Sequence, residues 1–345
     1  MSNGWTEQVI AGVNARLTRF FEDKAAQART LSPRAPELVQ AVAELTMRGG
    51  KRMRSLAIYA GYRAVSTQQR AAEFESVVNL GAAIELLQTY LLIQDDWMDD
   101  DEERRGGPAT HVALAHRYGD AKLGASMAIL AGDVAAGFAF ELLHAARFPE
   151  GKTAAALDAF TRMHFEVVAG QQLDLLHYES VELIHHLKTG SYTVRGPVTL
   201  GALVGNASDA QLAALTEFAR PLGIAFQLRD DLLGTFGDSR STGKPAGHDL
   251  REGKNTALVA EGRALLGAAE REQLDRVLGN PNASAGALQG VAAALERAGA
   301  RAKVESLLKE QLDRARSALQ TGARLEADGV SMLVELLDRI ALRDR

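Results

Sequence analysis

Residues 94–111 read QDDWMDDDEERRGGPATH, in which seven of the nine residues from Asp95 to Glu103 are acidic and Arg104 and Arg105 follow at once. On a helix Asp95 and Asp99 share one face, and Asp96 lies about 100° round from Asp95. Carboxylates this close repel one another in a dry site, so a positive partner is needed. Arginine is one candidate and a hard divalent cation is another. Mg2+ takes oxygen ligands, keeps several waters and typically uses one or two carboxylates together with substrate phosphates. The chain has no cysteine, and an all-oxygen ligand set favours Mg2+ over zinc or copper. A solvated acidic helix end would look similar. Two features weigh against that: an apolar face runs directly up to the acids, and a second acidic pair occurs far downstream.

That second pair is Asp230-Asp231, at the end of another apolar run in LGIAFQLRDDLLGTFGDSRSTGKPAGHDLREGKNT (222–256), followed by Lys244, Asp249 and Lys254. Two carboxylate sets with interspersed lysines and arginines suit a clamp on a magnesium-bound diphosphate. A nucleotide P-loop is excluded. Five residues instead of four separate Gly247 from Gly253-Lys254, Asn255 stands where Ser or Thr should be, and no strand precedes it. The histidines form no HExxH pattern, and His185-His186 read as surface or core residues. GGKRMR at 49–54 puts Lys51, Arg52 and Arg54 at a helix junction, a candidate second anion site.

Together these elements resemble the trans-type polyprenyl diphosphate synthases, most closely the short-chain enzymes that make geranylgeranyl diphosphate. GGKRMR, with Gly50, resembles the family's GGKRxR element. DDWMDDDEERRGGP fits DDxxDxxxxRRGxP, and FQLRDD, with Phe226, fits the start of the second aspartate motif. GKPAGHDLREGK resembles the lysine loop that follows, and GQQLDL (170–175) and Lys188-Thr189 match in order. The resemblance implies an all-α fold of the isoprenoid synthase type, with helices around a deep cavity and the two aspartate motifs facing across its mouth. It implies that Asp95, Asp96, Asp99 and Asp230 bind several Mg2+ ions, for which Mn2+ would substitute, and through them an allylic diphosphate (dimethylallyl, geranyl or farnesyl). Arg104, Lys188, Lys254 and Lys244 would contact that diphosphate. Lys51, Arg54, Gln88 and Arg105 would hold isopentenyl diphosphate, and Gln171 and Gln227 match polar residues lining the site. Where many relatives carry DDxxD in the second motif, this chain has Gly234. Asp231 is then a secondary ligand and Asp238 a candidate replacement, with Gly234 and Gly237 read as loosening the helix. Product length in the family is set by bulky residues below the first motif. Tyr90, five positions before Asp95, implies a twenty-carbon product with fifteen next, while Leu91, Leu87 and Ile84 lie closer to the aspartate face. A class I terpene cyclase would carry an Asn/Ser/Glu metal motif in place of the second pair. A non-catalytic modulating subunit would be expected to have lost aspartates or lysines.

The elements that must position these groups are helical. The chain has 345 residues, 46% hydrophobic and 24% charged, with 39 basic against 44 acidic side chains, a globular composition able to bury a large core. The mildly acidic balance argues against nucleic-acid binding. Val77, Leu80, Ile84, Leu87, Leu91 and Met98 recur at three- and four-residue steps, predicting a helix over 72–103 that Gly49-Gly50 precedes and Gly106-Gly107-Pro108 ends. Leu123 to Ala146 is the most apolar stretch. Asp133 and Glu141 interrupt it, so it is expected to be a buried helix and not a membrane span. Residues 280–288 read as a surface turn. With no linker evident, 1–345 is expected to be one domain, with a motif-bearing core of about 45–260 and residues 261–345 as an outer layer. The N-terminal sequence lacks a secretory pattern, so the cytoplasm is the expected compartment, and the resemblance implies a homodimer.

Overall fold

The computed structural model describes residues 4–68, 70–176, 178, 180–237, 247–321 and 324–341. Apart from one small hairpin, their regular structure is helical: α1 (Gly4–Leu31), α2 (Pro36–Met47), α3 (Met53–Arg63), α4 (Ala71–Met98), β1 (Glu103–Arg104), β2 (Gly107–Pro108), α5 (Thr110–Tyr118), α6 (Ala121–Ala145), α7 (Thr153–Leu175) and α8 (Val181–His185). A π-helical segment, His186–Arg195, runs into α9 (Gly196–Val204). After it come α10 (Asp209–Phe236), α11 (His248–Glu252), α12 (Ala257–Leu265), α13 (Ala268–Val277), α14 (Ala285–Arg297), α15 (Ala300–Thr321) and α16 (Ala327–Ala341). The all-α architecture agrees with the sequence reading.

The chain groups into two compact units: 1–159 with 197–207 and 326–329, and 160–196 with 208–325 and 330–345. In the first, α4 packs against α6 and α3, and α5 lies on α6. Its core holds Leu56, Ile58, Tyr59, Leu80, Ile84, Leu86 and Leu87, all essentially inaccessible to solvent. Helices α3 and α9 meet backbone to backbone. A Cβ on Gly61 would lie 2.3 Å from the Val198 carbonyl oxygen, and one on Gly201 would lie 1.8 Å from that of Ile58. Only glycine permits this approach. In the second unit α10 packs against α15 and the π-helical segment, and Leu250, Val259, Leu274, Leu288 and Leu295 form a separate apolar cluster.

Three sequence expectations need correction. The helix carrying the first motif ends at Met98 rather than near residue 103. Asp99 caps it, Asp100 turns into the left-handed region at φ 55°, and Glu103-Arg104 pairs antiparallel with Gly107-Pro108. A helix C-terminus carries partial negative charge and disfavours a run of aspartates. Secondly, α6 is not a buried helix. Its apolar window is 33% buried against 78% for α4, and Leu123, Ile129 and Leu130 are exposed. Both helices are long and apolar enough to cross a membrane, but α4 forms the core of its unit. Thirdly, the turn at 280–288 gives way to α14 at Ala285, capped by the Ser284 hydroxyl on the Ala287 amide.

Candidate active site

The first motif divides into an inner and an outer set. Asp96 is fully buried and accepts a hydrogen bond from Arg104 Nε at 2.6 Å on Oδ1. Arg104 Nη2 also contacts that oxygen, donates to Asp101 Oδ2 at 2.8 Å and lies 3.8 Å from Asp95 Oδ2. Burial pushes the Asp96 carboxyl up to about 6 despite the guanidinium beside it. Burial alone would lower the Arg104 pKa, but the Asp96, Asp95 and Asp101 carboxylates raise it overall. Asp95 and Asp99 lie one helical turn apart and are both partly accessible, as their spacing predicts. Arg48 was not anticipated from the sequence. Its guanidinium donates to the carbonyls of Pro108 (2.6 Å) and Arg104 (3.3 Å), tying the hairpin to the end of α2. A lone arginine before two glycines carries no spacing signal that would reveal this.

The GGKRMR junction also divides. Arg52, left-handed at φ 48°, is buried and donates to Glu85 Oε2 at 2.8 Å and to the Thr46 carbonyl at 3.0 Å. It is a structural anchor and not part of an anion site. Lys51 is exposed and Arg54 buried, and the Arg105 guanidinium lies against Gly50. Burial lowers the Arg105 pKa, Glu85 opposes that, and Arg52, Arg54 and Arg104 add to the lowering. Such a concentration of positive charge suits an anion. Gln88 is half-buried on α4.

In the second unit Asp230 is partly accessible, while Asp231 is buried and fully engaged. Asp231 Oδ1 accepts from Gln227 Nε2 at 2.9 Å. Its Oδ2 accepts from the Ala257 amide at 2.9 Å and lies 3.5 Å from His185 Nε2. His185 is thus a buried neighbour of this motif. Lys188, on the π-helical segment, pairs with Asp174 of α7 at 2.6 Å. Asp174 lies within GQQLDL and was not singled out from the sequence. A Cβ on Gly170 would meet the Lys188 amide nitrogen at 2.3 Å, so α7 and the π segment touch closely there. Thr189 is half-buried, Phe226 is buried, and Gln171 Nε2 is buried with no hydrogen-bond partner among the described residues. Lys254 lies 2.5 Å from Glu252 and 4.0 Å from Asp249. Burial pushes the Asp249 carboxyl up to about 6, with Lys254 acting in the opposite sense. Lys244 and Asp238 lie outside the described residues.

Helix α10 continues without a break through Gly234 to Phe236, with Gly237 as its cap. The expectation of a loosened helix is therefore corrected. Gly234 leaves space instead: a Cβ there would lie 1.8 Å from Asp249 Oδ2. In the second motif the Asp249 carboxylate lies directly against Gly234, and in the first a buried Asp96 Oδ2 has no hydrogen-bond partner among the described residues; donors that are all oxygen fit a hard divalent cation. Below the first motif Leu87 and Ile84 are core residues, while Tyr90 and Leu91 are half-buried. The Tyr90 ring lies on α6, 3.6 Å from where a Gly132 Cβ would be. Its pKa is raised by burial and then by Asp133.

Residues 35–295 match the model of the family described as polyprenyl synthetase. The chain belongs to that family. Family membership makes it a prenyltransferase of the trans type, nearest to the short-chain synthases. The crystal structure of a geranylgeranyl pyrophosphate synthase from Corynebacterium glutamicum, complexed with isoprenyl diphosphate and magnesium, superimposes with a TM-score of 0.89. It is 31% identical, over 96% of this chain and 98% of its own. A geranylgeranyl diphosphate synthase of Sulfolobus acidocaldarius is 34% identical over 264 residues, 74% of this chain and 75% of that protein. A geranylfarnesyl diphosphate synthase of Aeropyrum pernix is also 34% identical, over 305 residues, 86% of this chain and 91% of that one. Polyprenyl synthetases of different product length are thus equally similar to it.

Proposed function

We propose that the protein condenses isopentenyl diphosphate with a short allylic diphosphate to give geranylgeranyl diphosphate, and that Mg2+ ions would be bound by Asp95, Asp96 and Asp99 of the first motif and by Asp230 of the second. The observation that carries the reading is Arg104, whose guanidinium is fixed by Asp96 and Asp101 while reaching Asp95. A cation held rigidly beside the partly accessible Asp95 is preorganised for an anionic leaving group, and such preorganisation lowers the barrier to charge separation. Bound Mg2+ would neutralise charge developing on the departing diphosphate. Arg104, Lys188 and Lys254 orient that diphosphate, and Lys51, Arg54 and Arg105 bind the second one. Loss of the diphosphate leaves an allylic cation, which the isopentenyl double bond attacks; proton loss then completes the new bond. No side-chain nucleophile is required, and the released diphosphate is a sufficient proton acceptor. Apolar walls below Asp95 keep water from the cation.

The half-buried Tyr90 ring against α6 supports a floor that stops growth at twenty carbons. Purified protein given Mg2+, labelled isopentenyl diphosphate and each short primer should yield a twenty-carbon prenyl alcohol after dephosphorylation. A fifteen- or twenty-five-carbon product would refute the length, and cyclic hydrocarbons would refute the condensation. We further propose a homodimer, supported by the exposed apolar side chains of α6.

A further inference from the structure

In the first motif Asp95 and Asp99, one turn apart, are partly accessible, while Asp96 is buried against Arg104. Helix α10 repeats half of this. Asp230 corresponds to Asp95, and Asp231 is turned inward to Gln227, the Ala257 amide and His185. One turn after Asp230, however, stands Gly234, with no side chain to match Asp99.

The space beside Gly234 is filled from elsewhere in the chain. A Cβ built there would lie 1.8 Å from Asp249 Oδ2 and 2.4 Å from its Cγ, so the α11 carboxylate sits where a side chain at 234 would begin. Resting on the metal-dependent reading above, we infer that Asp249 supplies the third carboxylate of the second aspartate site, in the place left by Gly234. Asp231 is not available for this, since both its oxygens are engaged. The groups around Asp249 are Lys254, 4.0 Å from its Oδ1, together with Asp231, Glu252 and His248. A hard cation between Asp230 and Asp249 would relieve the crowding of three carboxylates against one lysine. The glycine then serves approach and not flexibility, because α10 remains helical on both sides of it.

The test is Mn2+ binding by the full chain with inorganic pyrophosphate present, followed by electron paramagnetic resonance, with circular dichroism to confirm folding. Asp249→Asn, nearly isosteric, should weaken Mn2+ binding by about tenfold or more. Gly234→Asp combined with Asp249→Ala moves the carboxylate across the gap and should recover most of that loss. Wild-type binding by Asp249→Asn, with binding lost in Asp230→Asn, overturns the inference and leaves the metal-dependent reading intact. A folded double variant with no recovery also overturns it, making Asp249 a brace for Lys254. If the double variant does not fold, Asp249→Asn alone decides. Unchanged binding in Asp230→Asn would remove the metal-dependent reading and this inference with it.

Discussion

Arg104 joins three carboxylates with one planar fork, a geometry that lysine cannot reproduce. Arg104→Lys keeps the charge but loses the two-pronged grip on Asp96 and Asp101. Turnover should fall by about 10²-fold or more, as when one preorganised donor is removed from an active site, and steady-state kinetics would read it. Tyr90→Ala should lengthen the product, measured by sizing the extracted lipids; an unchanged length would remove Tyr90 from the floor. Spacing predicts which aspartates share a face, and Asp95 with Asp99 follow it. It does not reveal which carboxylate a distant residue will cover. Asp96 and Asp231 turn inward because Arg104 and the start of α12 fold back onto them, and those partners lie 8 and 26 positions away. Arg52 and Lys51 look interchangeable in the string GGKRMR, yet Glu85, a full helix away, makes one of them a buried anchor.

At the scale of elements, the left-handed turn that starts α3 depends on the Arg52–Glu85 pair, whose side chains are each 2% exposed. Removing one partner leaves a buried charge without compensation. Glu85→Ala should therefore cost about 3–5 kcal/mol, read by denaturant unfolding, whereas breaking the surface Arg34–Glu37 pair should leave the unfolding midpoint nearly unchanged. The contact of α3 with α9 is equally sensitive. Gly201→Ala would drive a methyl group into the Ile58 carbonyl and should cost about 3 kcal/mol or more, seen as a lower melting temperature. Helix content was readable from periodicity, because apolar residues at three- and four-residue steps admit few alternatives. The end of α4 was not, since the periodic pattern continues past the point where clustered aspartates meet the helix C-terminus. Likewise, the apolar content of α6 indicated burial but not what covers it.

At the scale of the whole molecule, the chain passes between its two compact units after residues 159, 196, 207, 325 and 329. This interleaving, invisible to a search for linkers, supports the proposal that 1–345 works as one domain; calorimetry should then show a single transition. The exposed face of α6 leads to the proposed dimer, and Leu130→Asp should shift the mass by light scattering from dimer to monomer. The central claim is that the aspartates of the two motifs and Arg104 promote metal-dependent loss of the diphosphate from an allylic substrate and capture of the resulting cation by isopentenyl diphosphate. Its most direct test is incorporation of labelled isopentenyl diphosphate into extractable lipid, with and without chelator, in the wild type and in Asp95→Asn. The account predicts robust incorporation by the wild type, none with chelator, and a fall of about 10²-fold or more in the variant. Undiminished incorporation by the variant or with chelator, or none by the wild type with any primer, would contradict it.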